Sequence, residues 1–105
     1  MGLRVSNMGG NSRGGGVTKL NYTFDAPGGN MVIPGNSLIA WMVSFDASAF
    51  DNIVTMGTAP GGNDFFDDTV LPNIPYEVNK GLRFQNATTI YVTCSQRLSV
   101  TLYKL

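Results

Sequence analysis

The sequence contains no histidine and a single cysteine, and only 13% of its residues are charged. Without histidine the chain lacks the commonest general base and the commonest metal ligand. Ser-His-Asp and Cys-His constellations are excluded within one chain. With Cys94 alone there is no internal disulfide. Cys94 falls at an apolar alternating position, which predicts a small core residue rather than a nucleophile. Charge is about half the usual share for a soluble protein. Seven bases balance seven acids, so there is no basic stripe for nucleic acid. No apolar run reaches the ~20 residues of a membrane helix. The Met1–Val5 start lacks the apolar core of a secretion signal. No phosphate-binding or dinucleotide fingerprint is present, because the glycines at 9, 10, 14, 15 and 16 precede a strand pattern and not a helix. Cofactors are therefore not expected, nor is catalytic machinery, membrane insertion or nucleic-acid binding.

Two parts are legible, an arm over residues 1–16 and one domain over 17–105. Six of the thirteen glycines lie in the arm. Such a segment cannot form a core of its own, so a neighbouring subunit is its natural contact. Leu3, Arg4, Val5, Met8 and Arg13 are its candidate contact residues. From Val17 onward the period is that of strands. Leu20, Tyr22 and Phe24 alternate with polar residues. So do Ile90, Val92 and Cys94, and then Leu98, Val100 and Leu102. Val54 and Met56 point inward in a strand over 52–57. The run Leu38–Phe45 is apolar on both faces, with Ile39, Trp41, Val43 and Phe45 on one and Leu38, Ala40 and Met42 on the other. That pattern predicts a central strand, buried twice or buried once and in a subunit contact on its other side. Pro-Gly-Gly turns stand at 27–29 and 60–62. Ser95-Gln96-Arg97 reads as a hairpin loop, and Asp46–Phe50 as one helical turn with Ser48 as a weak cap. Seven to nine short strands with a turn about every ten residues predict an all-β, antiparallel, jelly-roll-like sandwich.

Three groups of residues invite a functional reading. Asp64, Asp67 and Asp68 with Asn63 form the one acidic cluster, a Ca²⁺ candidate for which a solvated loop is the simpler reading. Tyr22, Trp41, Tyr76, Tyr91 and Tyr103 are candidates for a sugar-stacking platform. Of these, Tyr91 and Tyr103 sit at outward strand positions, and Trp41 is expected in the core. Met42, Tyr91 and Tyr103 equally suit an interface, where aromatics and methionine are enriched. Low charge leaves little repulsion between copies and favours an oligomer.

Part of the pattern resembles the small β-sandwich domains of tailed-phage virion proteins: head fibres, decoration proteins and tail-fibre modules. The resemblance rests on Ile33-Pro34-Gly35-Asn36-Ser37-Leu38, on the strand Trp41–Phe45, and on Gly57-Thr58-Ala59-Pro60-Gly61-Gly62-Asn63-Asp64. It closes with Thr89-Ile90-Tyr91-Val92 and with Leu98–Leu102. It spans roughly residues 30–105. It implies a non-enzymatic virion component, made in the host cytoplasm and often trimeric, whose partners are capsid or neck proteins. Only sixteen Gly-rich residues precede the domain, which favours a decoration or adaptor protein over a long fibre. A carbohydrate-binding module that recognises a host surface glycan is the alternative expectation.

Overall fold

A computed structural model of the chain describes residues 17–105. Nine strands follow in order: β1 (Thr18–Phe24), β2 (Gly28–Ile33), β3 (Ser37–Phe45), β4 (Asn52–Gly57), β5 (Phe66–Val70), β6 (Tyr76–Val78), β7 (Leu82–Phe84), β8 (Thr88–Cys94) and β9 (Leu98–Lys104). They form two antiparallel sheets. One runs β1-β9-β3-β6, with β7 also on β3, and the other runs β2-β8-β4-β5. β6 and β7 cover opposite ends of β3, at Met42–Ser44 and Ser37–Ile39. Every connection except β4–β5 and β6–β7 crosses from one sheet to the other. The pairings β1–β9, β2–β8, β3–β6/β7 and β4–β5 are therefore nested.

The expected sandwich is present, and the alternation places most of its core. Ile90, Val92 and Cys94 on β8 face Leu98, Val100 and Leu102 on β9 across the interior, and all six are buried. Met31, Ile33, Val54, Met56 and Val70 complete the four-stranded side. The thickness of this core follows from one inward residue in every two on each sheet.

Three local expectations are corrected. The register of β3 against β9 shifts between Ile39 and Trp41, a β-bulge. One extra residue reverses which parity faces the core. Ser37 and Ile39 point inward before the bulge, and Met42, Ser44 and Asp46 do so after it. Met42, expected at an interface, is only 4% exposed. Trp41, expected in the core, is half-buried on the outer face together with Val43 and Phe45. Second, Ser95–Arg97 is no hairpin loop. Cys94 pairs with Val54 while Leu98 pairs with Phe24, so the segment joins the two sheets. Third, residues 46–50 form no helical turn but a β-bridge at Asp46 followed by bends at 48–50, because the Asp46 carboxylate accepts the Ser48 N–H at 2.8 Å and competes with helical bonding.

Candidate functional site

The outer face of the five-stranded sheet is built in rows. Lys19, Tyr103 and Trp41 are register partners across β1, β9 and β3, followed by Asn21, Thr101 and Val43, then Thr23, Ser99 and Phe45. In the first row the Trp41 and Tyr103 rings stack, with centroids 4.3 Å apart and planes inclined by 23°. The Lys19 ammonium lies 6.0 Å from the Tyr103 centroid. An aromatic pair of this kind contributes about 1 kcal/mol beyond its buried area, and an exposed cation over a ring about as much or less. In the second row the Thr101 hydroxyl donates to Asn21 Oδ1 at 2.9 Å. The β3 bulge makes this face, since without it Trp41, Val43 and Phe45 would turn inward.

The other aromatic candidates lie elsewhere. Tyr91 is outward on β8, which belongs to the four-stranded sheet, between Asn30 and Gly57. Tyr91 and Tyr103 therefore stand on opposite outer faces and form no common platform. Tyr22 packs against the core and donates its hydroxyl to the Val32 carbonyl at 3.1 Å. Tyr76 meets the Phe66 ring edge-on, with centroids 5.1 Å apart, and its hydroxyl donates to Asp68. Leu3, Arg4, Val5, Met8 and Arg13 lie outside the described residues.

The three acids are each engaged separately. Asp64 accepts the Thr58 N–H at 2.9 Å and its hydroxyl at 2.8 Å, closing the β4–β5 loop. These bonds, the backbone one first, hold its carboxyl below the ordinary value of 3.8. Asp67 accepts from Asn63 Nδ2 at 2.9 Å. Asp68 accepts from Tyr76, which lowers the carboxyl and raises the phenol, and the Thr69 N–H lowers the carboxyl further. Among the described residues no group of three or more such side chains could hold a metal ion. Cys94 is a buried free thiol whose pKa is raised by burial and then by Asp25.

Two buried polar residues escaped the sequence reading, and both brace loops at one pole of the sandwich. Asn52, fully buried, donates Nδ2 to the carbonyls of Gln96 at 3.0 Å and Arg97 at 3.3 Å. Its Oδ1 accepts from the N–H groups of Ser95 at 3.0 Å and Gln96 at 3.1 Å. Asp46, also fully buried, holds Ser48 through Oδ1, and its carbonyl accepts the Asn73 N–H at 2.7 Å. Asp46 Oδ2 and the neighbouring Ser44 Oγ have no protein partner. The one sequence signal was a polar residue at the head of an otherwise alternating strand.

Comparison of the chain with protein-family models, with curated proteins and with solved structures finds no match.

Proposed function

We propose that this protein is a non-enzymatic structural component of a phage-like particle, a decoration or adaptor protein. It attaches through its Gly-rich arm, and copies of the domain pack against one another through the outer face of the five-stranded sheet, with a trimer favoured. The carrying observation is the half-buried row of Leu38, Trp41 and Val43 on a strand whose opposite face already fills the core. Scarce charge supports the same reading, since only 13% of residues oppose close contact between copies. The nested strand pairing supports a jelly-roll-like wrap. A sugar platform shared by Tyr91 and Tyr103 loses its support, because the two rings face opposite ways.

Light scattering on the purified chain tests self-association. A discrete oligomer, dissolved by Trp41→Glu without loss of the folded spectrum, is the expected result. A monomer at high concentration removes the packing claim. Attachment is tested by deleting residues 2–16, which should abolish binding to particles while the domain still folds; unchanged attachment removes the arm's role.

A further inference from the structure

We infer that a pocket at the 46–48 loop and the head of β9 binds a carboxylated sugar ring. The pocket measures about 270 Å³ and is lined by Phe45, Ala47, Ser48, Arg97 and Ser99. It lies at the end of the outer face, where Phe45 and Ser99 are register partners. This goes beyond the structural role and does not depend on it.

The lining carries three complementary chemistries. Phe45 and Ala47 offer apolar surface for the C–H face of a ring. Ser99 offers a hydroxyl beside it, and Arg97 offers a cation at the rim. Among the described residues the ion-pair partner of Arg97 is Asp25, with Nε 3.6 Å from Oδ1 and the two side chains 72% and 82% exposed. Such an exposed pair is weak. It also engages Nε, which leaves the two terminal nitrogens for the planar fork that matches a carboxylate. A neutral sugar would leave that fork unmet, and a bare anion would leave the Phe45 floor uncovered.

Both walls are fixed before any ligand arrives. Asn52 grips the backbone of residues 95–97 on one side. On the other, Asp46 holds the Ser48 N–H, and Ser48 Oγ closes onto Phe50 by accepting its N–H at 3.1 Å and donating to its carbonyl at 3.0 Å. Two fully buried polar side chains thus spend their hydrogen bonds on shaping a surface pocket. Preformed walls reduce the ordering cost of binding. The volume lies just below the roughly 300–1,000 Å³ of sites for larger ligands, which fits one sugar ring.

The test is an amide NMR titration of the full chain with N-acetylneuraminic acid and with glucuronic acid, run beside N-acetylglucosamine and acetate. Saturable shifts at Ser48, Arg97 and Ser99 are expected for at least one sugar acid, with Kd on the order of 1 mM for a single ring. Arg97→Gln should weaken this at least tenfold, and Phe45→Ala severalfold, with shifts elsewhere unchanged. Equal response to acetate reduces the site to a bare anion contact and overturns the proposal. Equal response to the neutral sugar, no saturable shift with either acid, or wild-type affinity in Arg97→Gln does the same. All of these outcomes are read on the isolated chain, so they are independent of particle attachment, and Trp41→Glu, which dissolves any contact between copies, should bind the sugar acid as the wild type does.

Discussion

At the scale of single residues, the backbone of Gly28 is the most constrained point described. Its φ is +133°, and a Cβ built there would lie 1.9 Å from the Val92 carbonyl oxygen. The contact is backbone on backbone, where β2 begins to pair with β8, so no rotamer change relieves it. Gly61 also has a positive φ, +76°, but nothing lies within 4 Å of its missing Cβ. Gly61→Ala should cost about 1 kcal/mol, the strain of the left-handed conformation alone. Gly28→Ala should cost more than about 3 kcal/mol or prevent folding. Urea melts of the two variants, measured side by side, check this; equal costs would mean that β2 can shift away from β8. Asn52 is the side-chain counterpart of Gly28. It satisfies four backbone groups by itself, and no apolar residue of its size could do that.

At the scale of elements, a side-chain hydrogen bond helps to tie the two sheets at one margin. β5 and β6 are edge strands of different sheets, and the Tyr76 hydroxyl donating to Asp68 bridges them. The acids on β5 also discourage a second chain from adding to that edge. The bridge gives a pH signature whose sign is fixed. The Asp68 and Asp64 carboxyls are lowered in the folded state, so their stabilisation is complete above the ordinary 3.8 and is lost as pH falls through the lowered values. Tyr76 is raised from 10.0, so its contribution is complete below pH 10 and is lost as pH rises through the raised value. Stability should therefore be flat between about pH 5 and 9 from these groups and should fall on both sides. Tyr76→Phe should remove the alkaline fall and part of the acid one, as read by urea midpoints against pH. A wild-type alkaline limb in that variant would show that the bridge does not act in solution.

The same scale explains what the sequence made legible. Period-2 alternation located β1, β4, β8 and β9 with the correct inward residues, because each buries one regular face. It misplaced Trp41 and Met42 because a bulge changes parity without any residue type that announces it. It also placed Tyr91 and Tyr103 together, since alternation tells inward from outward but not which sheet a strand joins. The pocket was invisible for a related reason. Phe45 and Ser48 meet Arg97 and Ser99 only after the chain has wrapped around the sandwich, about fifty residues later.

At the scale of the whole molecule, nesting brings the two extremes of the domain together. Thr18 pairs with Lys104, and Phe24 with Leu98. Paired residues on adjacent strands lie about 5 Å apart, so a short glycine linker can join residue 105 to residue 17. A circular permutant opened between Gly61 and Gly62, in the exposed β4–β5 loop, should keep every strand pairing. It should unfold cooperatively and lose no more than about 2 kcal/mol. A non-cooperative melt would show that the loop closed by Asp64 and Thr58 is needed for β4 and β5 to pair.

The place of β9 in its sheet also bears on how the protein is born. It lies between β1 and β3, and neither of those pairs with the other. While a ribosome is still making residues before Leu98, the five-stranded sheet has no middle, and β1 and β3 lack the neighbour they share. The nascent domain must wait, open and sparsely charged, until β9 emerges. Folding then depends on contacts across the full length of the domain, the slow class of pairings. During that interval the chain is at its most exposed to sticking to other copies of itself.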